Sequence, residues 1–239
     1  MISRLVFATG NPGKLREARE ILGPGFEVLS PADVGLHGFD VEETGSTFRE
    51  NSLLKARALW QACGLPCFAD DSGLEVDALG GAPGIYSARY ASDHNFSSNI
   101  DRLLAELNAL EPAGAPPSGV RPSGSPHHPF GTVPPLPHRG CDAPQGEYPQ
   151  TFPGKARFRC VATLIPDDGK PRFFEGACEG RIATMRHGEG GFGYDPVFVP
   201  DDYPDRTISQ LPEDVKNAIS HRGVALRLLA AFLSTKDLF

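Results

Sequence analysis

The stretch Leu5-Val6-Phe7-Ala8-Thr9-Gly10-Asn11-Pro12-Gly13-Lys14 decides the fold class. Its first four residues are a short apolar run, which reads as a buried strand. Gly10, Pro12 and Gly13 break that run, and beyond them Leu15, Ala18 and Ile21/Leu22 recur at helical spacing. A strand that turns directly into a helix is the building unit of an α/β architecture. The alternation continues outward. Thr47-Phe48-Arg49-Glu50 has the capping-box form, and Leu53, Ala56, Leu59/Trp60 and Cys63 continue that helix. Cys67-Phe68-Ala69 reads as a short strand ending at Asp70-Asp71, and Ile100, Leu103, Leu104 and Leu107 mark another helix. Residues 156–165 and 172–182 read as two strands joined across Pro166-Asp167-Asp168-Gly169, a hairpin signal. Leu226, Leu229, Phe232 and Leu233 mark the closing helix. An antiparallel hairpin among interleaved strands and helices predicts an α/β class with a mixed sheet.

The chain has 239 residues and a formal charge of −7, so it can bury a sizeable core and has no general pull toward nucleic acid or an anionic membrane. A polyanion site must then be a local basic pocket. Five cysteines (63, 67, 141, 160, 178), none in C-x-x-C spacing, argue against a disulfide framework and for reduced thiols. No apolar run approaches the ~20 residues of a membrane span, and Met1-Ile2-Ser3-Arg4 leads into a strand rather than a signal peptide. The expectation is a soluble cytoplasmic protein. From Pro112 to Pro153, 12 Pro and 6 Gly fall within 42 residues, which leaves no periodic apolar face. That stretch is expected to be an exposed excursion whose removal, by joining Glu111 to Gly154, is silent. His127, His128, His138 and Cys141 lie in it, but their spacing fits no zinc pattern.

Four places could carry chemistry. The turn Thr9–Lys14 offers glycines, a helix N-terminus and a lysine, a combination suited to a phosphate, although it matches neither GxxxxGK[ST] nor GxGxxG. It also reads as an ordinary turn with a solvated lysine. Asp70-Asp71-Ser72-Gly73 follows an apolar strand, and two adjacent carboxylates there repel each other unless a cation intervenes. Glu42-Glu43 upstream reads, taken alone, as a solvated acidic loop. Phe192 among the glycines of 188–193 either stacks on a planar ligand or tucks into the core. Lys216 and the pair His221-Arg222 supply hydrogen-bond donors, or form surface ion pairs. Lys55 lies one turn beyond Asn51 on its helix and could reach an anion. Gly80-Gly81-Ala82-Pro83-Gly84 shapes a pocket or merely connects.

The order of these motifs is more specific than any one of them. ATGNPGK (8–14), EETGSTFRENSLLKA (42–56), ADDSGLEVDALGGAPGIYSARYA (69–91), GGFGYDPVF (190–198) and AISHRG (218–223) together resemble the inosine triphosphate pyrophosphatase family of dITP/XTP pyrophosphatases. The resemblance spans residues 1–111 and 154–234. It implies a single two-lobed α/β domain over 1–239, built on a long curved mixed sheet flanked by helices and interrupted at about 112–153, with the active-site cleft between the lobes. It further implies a homodimer that hydrolyses ITP, dITP or XTP with Mg²⁺ to the monophosphate and pyrophosphate.

Residue by residue, Thr9, Gly10, Asn11, Pro12, Gly13 and Lys14 match the family's phosphate turn, and Lys55 a phosphate lysine. Glu43 and Asp71 match metal carboxylates, and Asp71 also the proton acceptor, a role Asp70 could share. Ser72 matches a substrate contact. Phe192, Gly193, Tyr194 and Asp195 match the base-stacking segment, and Lys216, His221 and Arg222 nucleotide and base contacts; Arg89 lies near a further one. On this reading His221 and Arg222 donate to the 6-oxo group that adenine lacks, which discriminates against ATP. GTP shares that oxygen, so its rejection must also involve the 2-position. Two other readings stand beside it: a pyrophosphatase for modified pyrimidine or methylated nucleotides, and a non-catalytic nucleotide-binding module.

Overall fold

The computed structural model describes residues 3–110 and 148–234. Among the described residues, six strands and five α-helices follow one another as β1 (Ser3–Phe7), α1 (Pro12–Leu22), β2 (Phe26–Leu29), α2 (Phe48–Cys63), β3 (Cys67–Val76), α3 (Phe96–Leu110), β4 (Ala156–Ile165), β5 (Arg172–Ile182), β6 (Phe198–Pro200), α4 (Glu213–Ile219) and α5 (His221–Ser234). The strands form one sheet in the order β2-β1-β3-β4-β5-β6. β1 runs parallel to β2 and to β3, whereas β5 and β6 are antiparallel, so the sheet is mixed as expected. β4 and β5 occupy the expected residues. Their connection is closed by the Gly169 N–H donating to the Pro166 carbonyl at 2.9 Å. Gly169 sits at φ 69°, where a side chain would be strained.

The chain divides into two compact units. One comprises the described residues of 1–72, 159–177 and 220–239, the other those of 73–158 and 178–219. In the first, neighbouring residues of a strand serve opposite faces. Leu5, Phe7, Phe68 and Leu164 join Ala18, Leu226 and Leu229 in one core cluster. Val6, Cys67, Ala69 and Ile165 join Ala56 and Leu59 in another. Strands buried on both faces read as continuous apolar runs, which is why the period-2 alternation is missing from the sequence. The second unit has its own core, in which Leu74, Val76, Leu103, Leu107, Phe152, Phe158, Ile182, Tyr194, Phe198 and Ile219 pack together.

Several expectations need correcting. β3 does not stop at the acidic pair; it runs ten residues through Asp70, Asp71 and Ser72 to Val76. The charges are tolerated in a strand because cationic side chains meet them there, as described below. The capping box of α2 is only half made. Thr47 Oγ1 accepts the Glu50 N–H at 3.1 Å, but the Glu50 carboxylate takes the N–H and hydroxyl of Ser46, both at 2.7 Å. β2, β6 and α4 are too short to leave a periodic signal. The Pro/Gly-rich stretch, with its His127, His128, His138 and Cys141, lies outside the described residues up to 147. Its last residues belong to the second unit's framework. Thr151 bridges Ala183, the Phe152 N–H donates to the Ile182 carbonyl at 2.8 Å, and the Phe152 ring is buried in the core. A deletion extending to 153 therefore removes structure. Phe152→Ala alone is expected to cost about 3–5 kcal/mol, a typical loss for a core phenylalanine, read as a lower midpoint in urea unfolding.

Candidate active site

The turn after β1 is built as a helix cap. Asn11 is the N-cap of α1, and its Oδ1 accepts the N–H groups of Gly13 at 2.8 Å and Lys14 at 3.2 Å. Thr9 Oγ1 accepts the Asn11 N–H at 3.1 Å. Three N–H groups expected to face a phosphate are thus held by the turn's own side chains, and an anion binding there must displace them. What the turn does present is Lys14. Its ammonium lies 3.1 Å from both oxygens of Asp70.

Asp70 is the centre of a buried charge network in the first unit. Besides Lys14 it accepts Arg222 Nε at 3.0 Å and the Ser72 hydroxyl at 3.1 Å. Arg222 also donates from a second nitrogen to Glu17 at 2.8 Å, and the Ser220 hydroxyl reaches the other Glu17 oxygen at 3.2 Å. Burial alone would raise the Asp70 pKa, but the charges of Lys14, Arg222 and Lys55 outweigh it and hold the carboxyl well below the usual range. Arg222 is 3% exposed, so its guanidinium is committed to two carboxylates. A base oxygen would have to be met by guanidinium N–H groups other than the two given to these carboxylates. His221, half-buried, opens α5 beside it.

Asp71 has the opposite environment. Burial raises its pKa, and although Lys55 opposes this, the charges of Glu43 and Asp70 add to the rise. Lys55 Nζ lies 3.1 Å from Asp71 Oδ1 and 2.6 Å from Glu43 Oε1. The ammonium thus stands between the two carboxylates expected to share a metal. Two neighbouring residues with pKa values pushed apart provide one permanent anion and one group able to take a proton. Among the described residues no group of three or more His, Cys, Asp or Glu side chains forms a metal cage. Two converging carboxylates still suit Mg²⁺, which is commonly held by one or two carboxylates together with water and substrate phosphate.

The second unit carries the remaining predicted residues. Phe192 is 50% exposed, with the Lys216 ammonium 4.5 Å from its ring centroid. Asp195 Oδ2 accepts Lys216 Nζ at 2.5 Å and the Phe192 N–H at 2.9 Å. Gly191 must be glycine here, because a Cβ would lie 2.3 Å from Asp195 Oδ2. Tyr194 is different. It is 2% exposed and its hydroxyl donates to the Ser87 carbonyl at 2.9 Å, so its ring is core and cannot stack on a ligand. Gly193 takes φ 63° and supports the turn. Arg89 places its guanidinium over the Tyr86 ring at 5.3 Å.

In the first unit the structure brings together Lys14, Glu43, Lys55, Asp71 and Ser72, and adds two residues that sequence reasoning missed, Asn51 and Glu17. The signal for Asn51 was its place one helical turn before Lys55; Glu17, on the polar side of α1, left none. The four described cysteines are free thiols. No helix of the described residues is long and apolar enough to cross a membrane.

Comparison with known proteins identifies the family. The sequence model of the Ham1 family matches residues 5–116 and 147–232, so the unmatched interval ends before Thr151 and Phe152. A dITP/XTP pyrophosphatase of Porphyromonas gingivalis is 40% identical, over 97% of this chain and 98% of its own. One from Bacillus subtilis is 38% identical, over 98% of each. The solved Ham1 protein of Staphylococcus aureus is 36% identical with a TM-score of 0.72, over 98% of this chain and 99% of its own. A HAM1 protein from Coxiella burnetii is 32% identical with a TM-score of 0.74, over 98% and 100%. With a family model matching residues 5–116 and 147–232 and a relative 40% identical over 97% of its length, the chain belongs to the Ham1 family.

Proposed function

We propose that this chain hydrolyses the non-standard purine nucleoside triphosphates ITP, dITP and XTP to the monophosphate and pyrophosphate, removing them from the nucleotide pool. The observation that carries the proposal is the split pair on β3. Asp70 is fixed as an anion against Lys14 and Arg222, while Asp71 is desolvated beside Glu43 and Lys55. A binding module needs the lysines; it has no need of a carboxylate with a raised pKa. Relatives about 40% identical over nearly their full length, named dITP/XTP pyrophosphatases, support the same reading.

Glu43 and Asp71 would hold a divalent cation, Mg²⁺ by the hardness of their oxygens, and such an ion supplies charge neutralisation on the triphosphate and an acidified water. Asp71 takes the proton of the attacking water. Lys14 and Lys55 neutralise charge developing on the departing pyrophosphate, and Asp70 keeps the Lys14 ammonium in place. In the second unit, the Phe192 ring and the Lys216 ammonium suit a planar purine with a carbonyl edge. In the first unit, His221 and Arg222 are further candidate contacts for the nucleotide. A cytoplasmic setting and a homodimer belong to the same proposal, and sedimentation equilibrium tests the dimer.

The deciding assay is ITP, dITP, XTP, GTP and ATP side by side, with and without Mg²⁺, following pyrophosphate and orthophosphate separately. The expected result is metal-dependent pyrophosphate release from the first three, with ATP slower by about 10²-fold or more, since a mismatched base leaves buried polar groups unpaired. Orthophosphate as the product, equal turnover of ATP, or a preference for a modified pyrimidine would each overturn it.

A further inference from the structure

We infer that Asn51 is a positioning residue for the cation site: its carboxamide fixes which oxygen of Asp71 faces Glu43. This rests on the reading of Glu43 and Asp71 as cation ligands given above. Asn51 is fully buried on α2. Its Nδ2 donates to Asp71 Oδ2 at 3.2 Å, and its Oδ1 accepts the Gly45 N–H at 2.8 Å. One carboxamide thus ties the strand residue Asp71 to the loop that carries Glu43. Lys55, one helical turn further along α2, takes the other Asp71 oxygen, Oδ1, together with Glu43 Oε1. The division is complementary. The amide holds Oδ2, and Oδ1 is left facing the position that a cation already occupies, the Lys55 ammonium.

The fit at Gly45 supports a positional role. A Cβ there would lie 2.6 Å from Asn51 Oδ1 and 2.7 Å from Glu50 Cβ, so the loop closes onto the amide without room for any side chain. The neighbouring Ser46 is held by Glu50 through both its N–H and its hydroxyl. Residues 45 and 46 are therefore clamped to the first turn of α2, which sets where Glu43 stands relative to Asp71. Outer partners of metal ligands commonly act in this way, orienting a donor atom without touching the ion.

The test uses two variants of the full chain. Asn51→Ala removes both bonds, and it should raise the Mg²⁺ concentration for half-maximal ITP turnover about 10- to 100-fold, the usual loss when an outer partner is removed. KM for ITP at saturating Mg²⁺ should stay at the parent value. Asn51→Asp keeps the shape and the acceptor for Gly45 but meets Asp71 Oδ2 with a buried carboxylate oxygen in place of N–H, and circular dichroism of both variants checks that they fold. It should lower kcat with KM retained. Crystal structures of both variants supply a readout that needs no turnover, namely an Asp71 carboxylate rotated away from its parental orientation. Parental Mg²⁺ requirement in Asn51→Ala, parental kcat in Asn51→Asp, or an unmoved Asp71 in either would overturn the inference, leaving Asn51 as a loop anchor that affects thermal stability alone. A parent chain without metal-dependent turnover would sink the functional reading instead, while the carboxylate orientation would still judge Asn51.

Discussion

Asp71→Asn should fold as well as the parent chain and lose turnover by about 10²–10⁴-fold, the range that a positioned proton acceptor contributes. The two halves of that expectation have one cause. Burial and the nearby charges of Glu43 and Asp70 make the Asp71 carboxylate expensive to keep ionised, with Lys55 as its main compensation. An amide of the same shape relieves that repulsion. Its oxygen can still accept from Asn51 or Lys55, so the thermal unfolding midpoint should stay near the parental value. The amide cannot take a proton from water, and it is a weaker donor to a hard cation. The loss should appear equally in kcat and kcat/KM, which marks an interaction made in the transition state rather than in substrate binding. Near-parental pyrophosphate release from a folded Asp71→Asn chain would remove Asp71 from the chemistry.

The sequence carried much of this site because its elements are local. A strand, a glycine turn and a lysine lie within ten residues in LVFATGNPGK, and the β4–β5 hairpin is marked by its own breakers. Failures came where tertiary partners decide. Nothing local shows that Asp70-Asp71 can sit inside a strand, because the cations that allow it come from α1, α2 and α5, up to 152 residues away. Tyr194 looked like part of a stacking segment because its neighbours are glycines and an exposed phenylalanine, yet its hydroxyl finds the Ser87 carbonyl 107 residues earlier and draws the ring into the core. Arg222 read as a base donor or a surface ion pair, and its buried pairing with Glu17, 205 residues away, left no local signal. The Asn11 cap is a local partner that the phosphate reading left out. A helix N-terminus with glycines offers amides in principle, but the side chain needed to start the helix already takes two of them.

Asp70→Asn should behave as the reverse of Asp71→Asn, with stability lost first and rate second. Asp70, Arg222, Glu17 and Lys14 form a buried alternation of two anions and two cations, closed by contacts of 2.8–3.1 Å. Such a network adds little net stability when complete, but removing one member leaves a desolvated charge without its partner. With an amide at 70, Arg222 loses one of its two carboxylate charges, and the Lys14 ammonium loses its paired oxygens. Breaking a buried ion pair in this way costs about 3–5 kcal/mol, and for a chain of this size each kcal/mol lowers the midpoint by roughly 2–4 °C. A melt followed by circular dichroism should therefore show a drop of roughly 6–20 °C. Below the lowered midpoint the chain still holds Asp71, Glu43 and Lys55 in place. Its kcat at saturating ITP should fall far less than that of Asp71→Asn, with KM bearing most of the change as Lys14 loses its anchor. If Asp70→Asn instead melts like the parent and loses turnover to the same depth as Asp71→Asn, the assignment of roles within the pair is inverted, and Asp70 is the proton acceptor.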